Sequence, residues 1–130
     1  MLFVEREYNG NFEEILDSLL FHLKNGGYVV VADIDIKSIL RKALGYDFKN
    51  YHILEICKPQ AALELIGGDD LNGLLLPCKV VVLESQGKTL VRMVRSSEIS
   101  GKFEMGNSAK MRKYEDELAA LMSSFNFQPP

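Results

Sequence analysis

The hydrophobic pattern of the N-terminal part predicts a strand followed by a helix. Residues 2–8 alternate loosely between apolar and charged side chains, which is typical of a strand. Asn11 is then placed to cap a helix, and the apolar positions between Phe12 and Leu23 recur at intervals of three and four residues. The glycines at 26–27 end this helix, because glycine is the favoured residue after a helix C-terminus.

The middle of the chain predicts two more strands, each followed by a helix. The run 28–32 is β-branched and continuously apolar, the pattern of a strand covered on both faces. After Asp35, a good N-cap residue, the spacing becomes helical until Gly45 stops the second helix. Residues 51–57 predict the third strand, and Pro59 suits the first turn of a short third helix.

The C-terminal part predicts a β-hairpin and a last helix. Strands at 78–84 and 89–94 flank a turn, and an apolar stripe predicts a C-terminal helix over about 108–125. Helices that alternate with strands before a hairpin indicate an α+β fold, a mixed sheet of about five strands covered by helices. At 130 residues the chain is a single domain, 1–130, since two halves would be too small for separate cores.

Composition and charge narrow the classes of function. Hydrophobic residues make up 47% of the chain and charged residues 25%, as in an ordinary globular protein. The N-terminus shows no signal-peptide pattern and no apolar run reaches about 20 residues, so we expect a cytoplasmic protein that does not contact membranes. Nucleic-acid binding is not expected, because the net charge is -3 and only Phe103 interrupts the basic stretch 88–113.

The two cysteines carry the most informative chemistry in the sequence. Cys57 ends the third strand directly before a helix N-terminus and next to Lys58, an environment that stabilises a thiolate. It is therefore either a reactive group or, like many cysteines, a small buried hydrophobic residue. Cys78 follows Pro77 and enters an apolar strand, where burial favours the neutral thiol, so we predict that Cys57 is the more reactive of the two.

Other site chemistries have less support in the sequence. Asp33 and Asp35 share one face of a strand end, where they either form a carboxylate pair or leave Asp35 to cap the next helix. His52 and Cys57 face opposite sides of their strand, which separates a histidine from the thiol. Only two cysteines and two histidines are present, at scattered positions, so we expect neither a bound metal nor a cofactor.

Two cysteine-containing motifs are similar to those of a known family. They are Cys57-Lys58-Pro59 and the stretch from Gly73 to Val82, which contains Leu-Leu-Leu-Pro-Cys-Lys. These segments resemble the uncharacterised family called domain of unknown function 302, most closely over about 28–94. The family motifs read Cys-Asn-Pro and Leu-Leu-Pro-Cys-Asn, so Lys58 and Lys79 stand in place of two asparagines. The resemblance implies a compact α/β domain, often dimeric, with no established activity.

The sequence leaves three functions open. The preferred one is a module that binds a small ligand or a partner through Cys57, Lys58, Cys78, Lys79 and Asp35. The first alternative is a thiol-dependent enzyme or redox protein that uses Cys57, and the second is a structural or regulatory homodimer without catalysis. A homodimer is expected because the apolar strand interior and the stripe of the last helix exceed what one small sheet can cover.

Overall fold

This computed structural model describes residues 2–104 and 107–127. These residues contain five strands and five helices. The strands are β1 Phe3–Tyr8, β2 Val29–Asp35, β3 Tyr51–Cys57, β4 Cys78–Ser85 and β5 Lys88–Val94. The helices are α1 Phe12–Asn25, α2 Ile36–Leu44, α3 Pro59–Gly68, α4 Ser96–Lys102 and α5 Ser108–Ser124, with a 3-10 turn at Asp70–Leu74. Within these ranges, no helix combines the length and the apolar character needed to cross a membrane.

The strands form one sheet in the order β1-β5-β4-β3-β2, and each neighbouring pair is antiparallel. The α+β class, the five strands and the C-terminal helix are thereby confirmed, but the sheet is antiparallel where the sequence predicted a mixed one. Parallel neighbours need a connection that crosses to the opposite end of the sheet. Here α2 connects β2 to β3, and α3 with the 3-10 turn connects β3 to β4. Each connection begins and ends at the same end of the sheet, so the strand after it runs antiparallel to the strand before it.

The hydrophobic core lies on one face of the sheet, under α1 and α5. The strand period of two and the helix period of 3.6 place apolar side chains of both kinds of element on facing surfaces. The buried side chains are Phe12, Ile15, Leu16, Leu19 and Leu23 of α1, Leu54, Ile56, Val80, Val82, Val91 and Met93 of the strands, and Leu118 and Met122 of α5. The apolar stripe of α5 therefore packs inside the domain.

The residues that the sequence predicted to begin or end helices do so in the structure. The Asn11 side chain accepts the N–H of Glu14 at 3.1 Å, which fixes the start of α1. Asp35 caps α2 in the same way, because its Oδ1 accepts the N–H of Ser38 at 3.0 Å. Gly45 ends α2 with a φ of 65°, a left-handed conformation in which a Cβ would be strained.

Strand β2 lies at the edge of the sheet, which the sequence did not predict. It pairs with β3 alone, and its register is irregular between Val30 and Ala32. The side chains of Val29 and Val31 are 51% and 59% exposed, so this apolar run is not covered on both faces. A β-branched run is typical of a central strand and of an edge strand alike, and only the tertiary structure distinguishes them.

Helix α4 is the element that the hydrophobic pattern missed. Its sequence resembles a Ser- and Gly-containing loop, yet its first turn is held by Glu115 of α5. This carboxylate is 2% exposed and accepts the backbone N–H of Ser97 at 2.8 Å and its hydroxyl at 2.5 Å. The start of α4 therefore depends on a distant acceptor, which local propensity does not reveal.

Ion pairs within the chain engage much of the basic stretch 88–113. The pairs are Lys88 with Glu7, Arg92 with Glu5, Arg95 with Asp116 and Arg112 with Glu98. Each basic side chain in this set has an acidic partner on a neighbouring element. These four basic side chains thus take part in ion pairs within the domain.

Candidate functional site

Both cysteines line one small cavity at an end of the sheet. The cavity lies between α3, α5 and the strand ends that carry Cys57 and Cys78. The pairing of β3 with β4 places Cys78 opposite Ile56, so the end of β3 at Cys57 and the start of β4 at Cys78 lie at the same end of the sheet. The cavity volume is about 40 Å³, which is room for about three water-sized groups.

The lining of this cavity is mainly apolar, with a few polar groups. The apolar part comes from Ala61, Ala62 and Leu65 of α3, Leu76 and Pro77 before β4, and Met111 and Leu118 of α5. The polar part comes from Tyr28, Lys58, Ser96, Tyr114 and Glu115. A concave apolar site with a few convergent polar groups is the usual form of a small-molecule site.

Two polar contacts join α3 and the residue before it to α5 beside the cavity. Lys58 Nζ lies 3.1 Å from Glu117 Oε2 and 5.8 Å from the ring centroid of Tyr28. The Tyr114 hydroxyl donates a hydrogen bond to Glu64. Lys58 thus pairs its charge with α5 at the rim of the cavity.

The environment of Cys78 favours the neutral thiol. Burial raises the pKa of Cys78 to about 11, and the negative charge of Glu115 acts in the same direction, followed by Cys57 and Glu55. Burial also raises the pKa of Tyr28 to about 12, with smaller contributions from Cys78 and Glu117. Neither group ionises at neutral pH, so this side of the cavity is uncharged.

The Tyr114 hydroxyl also stays protonated at neutral pH. Its hydrogen bond to Glu64 is the largest of the effects that raise the pKa of Tyr114 to about 12. The same bond is the main cause that lowers the pKa of Glu64, so the pair consists of a neutral phenol and a carboxylate. Tyr114 is therefore a hydrogen-bond donor in this wall and not a base.

Comparisons with known proteins place the chain in a family. A family model described as "Domain of unknown function DUF302" matches residues 4–125. The chain belongs to the DUF302 family. A similar solved structure is the crystal structure of an uncharacterized conserved DUF302 protein from Bacillus stearothermophilus, with a TM-score of 0.85 and 27% sequence identity over 95% of this chain and 97% of that one. No curated protein matches the chain.

Three of the five residues predicted for the site of this DUF302 domain lie together. Cys57, Lys58 and Cys78 all line the cavity between α3 and α5. The structure places Lys79 on the opposite face of the sheet, because it follows Cys78 in a strand whose side chains alternate between faces. There it pairs with Glu55 and lines a separate groove.

Asp35 lies at the other end of β3, away from the cysteines. It is paired with His52 across β2 and β3, whereas Cys57 is paired with Val29. His52 Nδ1 lies 2.6 Å from Asp33 Oδ1, so the two aspartates share a histidine between them. No cluster of three or more His, Cys, Asp or Glu side chains suited to a metal occurs in residues 2–104 and 107–127.

Sequence reasoning missed Glu115 and Tyr28, although a signal for Glu115 is present. Met111, Leu118 and Met122 form the buried stripe of α5, and Glu115 follows Met111 by four residues and so occupies the same stripe. A carboxylate at a buried helical position must have a hydrogen-bonding partner, which marks it as a group of interest. Tyr28 offered no comparable signal, because an aromatic residue beside a strand is usually core.

Proposed function

We propose that this DUF302 domain is a binding module for small, uncharged and largely apolar molecules. The observation that carries the proposal is that Cys57 and Cys78 line one apolar cavity between two helices and the sheet. An uncharged ligand fits best because Cys78 is a neutral thiol and Glu115 is engaged by Ser97. The Lys58 ammonium pairs with a carboxylate of α5 and does not call for an anionic ligand.

The size of the cavity sets a further condition for binding. Its volume of about 40 Å³ is far below the roughly 300 Å³ at which most ligand pockets begin. A ligand of several heavy atoms therefore needs α3 to move away from α5. The two polar contacts between α3 or the residue before it and α5, Lys58 with Glu117 and Glu64 with Tyr114, are partly exposed pairs, which contribute little to stability. We infer that α3 is the element that moves.

Filling the cavity should abolish this binding. Ala62 lines the cavity from α3, and Ala62→Phe places a ring in the space that the ligand needs. A library of apolar fragments of about six to ten heavy atoms, screened by amide NMR shifts, should yield ligands for the natural protein and none for this variant. Bound fragments should also slow alkylation of Cys57, because they occupy the space beside it.

Ala120→Phe is the matched control, since Ala120 is exposed on α5 and does not line the cavity. Circular dichroism checks that both variants are folded. Fragments that bind all three proteins equally, or a library that yields no ligand for the natural protein, would contradict the proposal.

A thiol-dependent enzyme or redox protein is the second candidate function. The observation in its favour is the position of Cys57, which directly precedes Lys58 at the start of α3, with Pro59 in the first turn. Unpaired N–H groups at a helix start favour an anion such as a thiolate. A reducing compartment such as the cytoplasm would keep both thiols free, and we propose that location for the protein.

A homodimer formed through β2 is a further proposal for the assembly of the domain. An edge strand carries unpaired backbone groups, and β2 adds the exposed side chains of Val29 and Val31 to them. Antiparallel pairing of two copies of β2 would continue the sheet across a twofold axis. It would also cover both valines.

Light scattering should therefore give a mass of about twice 14.6 kDa, and Val31→Lys should shift it to that of a monomer. The charge disrupts an apolar strand edge and leaves the core untouched. Leu44→Lys on α2 is the control, because Leu44 is also exposed but is not part of β2. A monomeric natural protein at high concentration, or a dimer that survives Val31→Lys, would rule out this interface.

A further inference from the structure

The surfaces at the two ends of the sheet carry opposite charge. At one end, α2 contains three basic residues and no acidic one, and they are Lys37, Arg41 and Lys42. At the other end, residues 59–76 form α3, the 3-10 turn and the approach to β4, with three acidic residues and no basic one. These acidic residues are Glu64, Asp69 and Asp70. Surfaces of opposite charge are suited to bind each other, and this chain carries both.

The apolar stripe of α2 is left uncovered by its own chain. The apolar residues recur at intervals of three and four, which places them on one side of the helix, and they are Ile36, Ile39, Leu40, Ala43 and Leu44. None of them is buried, and the side chain of Ile39 is 48% exposed. An amphipathic helix normally packs such a stripe against its own core, as α1 does, so the stripe of α2 marks a contact surface.

Lys37 adds an uncompensated charge to this surface. It lies in the first turn of α2, where the positive end of the helix dipole is unfavourable for a cation. Arg41 pairs with Asp47 at 3.6 Å, whereas Lys37 forms no ion pair with any residue that the structure describes. An acidic group from outside the chain would therefore complement the start of α2.

The 3-10 turn offers the matching surface at the other end of the sheet. Leu71 and Leu74 of this turn are 52% and 74% exposed. Leu74 also lines the groove that contains Lys79, and this groove reaches Val31 of the edge strand β2. Asp70 begins the turn, is exposed, and has no ion-pair partner in residues 2–104 and 107–127. The turn thus combines exposed leucines with a free carboxylate.

Pairing through β2 brings the two surfaces together. When two copies pair antiparallel along the whole of β2, the last residue of this strand, Asp35, lies opposite Val29 of the second copy. Val29 is paired with Cys57, so it lies at the end of the sheet that carries α3 and the 3-10 turn. Because α2 begins directly after Asp35, its first turn reaches that end of the second copy.

We propose that the first turn of α2 docks on the 3-10 turn of a second copy of this chain. Ile39 covers the exposed leucines of that turn, and Lys37 pairs with Asp70. The twofold axis of the dimer produces this contact twice. The proposal rests on the β2 dimer and gives the uncovered stripe of α2 its partner. Leu44 lies about 12 Å along the helix from Ile36 and is outside the contact.

Charge reversals measured by sedimentation test the ion pair. Lys37→Glu and Asp70→Lys should each weaken the dimer about tenfold, because each places like charges together in both copies of the contact. A chain that carries both reversals should recover most of the affinity, since opposite charges then face each other again. Lys113→Glu, on an exposed position of α5, is the control and should leave the affinity unchanged.

Cross-linking with a short bismaleimide tests the apolar contact. In protein that carries Cys57→Ser and Cys78→Ser, the further changes Ile39→Cys and Leu74→Cys should give covalent dimers. The two positions lie beyond opposite ends of β3, about 20 Å apart in one chain, so a link reports on a second copy. Leu44→Cys in place of Ile39→Cys is the control and should link much less.

The outcomes separate this contact from the β2 dimer on which it rests. A dimer that Val31→Lys dissociates, but that both charge reversals leave unchanged and the reagent does not link, keeps the β2 interface and refutes the docking of α2. That result is also the one expected if α2 binds a foreign acidic protein. A natural protein that is monomeric at high concentration refutes both. Charge reversals that weaken the dimer without recovery in the combined variant refute the pairing of Lys37 with Asp70.

Discussion

In the folded protein, Cys78 should react with iodoacetamide at about pH 7 about 100-fold more slowly than the same thiol in urea-unfolded protein. The pKa of Cys78 rises from an ordinary value of 9.0 to about 11, and the thiolate is the reacting form. Below both values, each pKa step of one reduces the thiolate fraction about tenfold. The rate is measured on Cys57→Ser protein, in which Cys78 is the remaining thiol.

A pH series separates this electrostatic effect from simple steric protection. If the pKa controls the rate, the native rate should keep rising tenfold for each pH step from 9 toward 11, while the rate in urea levels off near 9. Glu115→Gln should raise the native rate, because the charge of Glu115 is the second cause of the raised pKa. A native rate that levels off at the same pH as the unfolded rate would show that access alone protects Cys78.

The same assay orders the two thiols and so bears on the choice between a binding module and a thiol enzyme. Cys57 in the Cys78→Ser protein should react faster than Cys78 in the Cys57→Ser protein, because Cys57 lies directly before the start of α3. A Cys57 thiol that reacts at once and at low pH favours the enzyme. Two slow thiols favour the binding module, and a faster Cys78 contradicts the argument from the helix start.

Most of the secondary structure could be predicted because its signals are local. Asn11, Asp35 and Gly45 fix helix ends through hydrogen bonds and backbone conformations within a few residues of themselves. Two features could not be predicted, because each depends on distant contacts. Helix α4 depends on Glu115, which lies 18 residues from Ser97, and the edge position of β2 depends on the order of the other strands.

The candidate site was predictable in part for the same reason. The expectation that Cys57 and Lys58 lie at a helix start follows from Pro59 alone, but nothing in the sequence shows that Cys57 and Cys78 line one cavity. That arrangement depends on the pairing of β3 with β4 and on the packing of α3 and α5 beside the strand ends. Lys79 shows most clearly that neighbours in sequence need not share a site. It follows Cys78 directly, yet its side chain faces the other side of the sheet, where it pairs with Glu55.

Alkaline pH should destabilise the domain, and much of the loss should disappear in Cys78→Ser protein. A group whose pKa is higher in the folded state stabilises the fold below its unfolded pKa, and this stabilisation is lost as the pH rises through the folded value. For Cys78 the interval runs from 9.0 to about 11, which corresponds to a loss of about 2 kcal/mol at pH 11 and about 3 kcal/mol well above it. Tyr28, with its pKa raised to about 12, acts in the same direction above pH 10.

Urea unfolding at several pH values between about 7 and 11, with a reductant present, measures this loss as the change in the free energy of unfolding. Natural protein should lose about 2 to 3 kcal/mol more than Cys78→Ser over that range, because serine does not titrate there. Cys57→Ser keeps the Cys78 thiol and should retain most of the pH dependence of the natural protein. The prediction is contradicted if the natural and Cys78→Ser proteins show the same pH dependence. Cys78 would then have the same pKa in the folded and the unfolded chain, and its side of the cavity would have to be open to water.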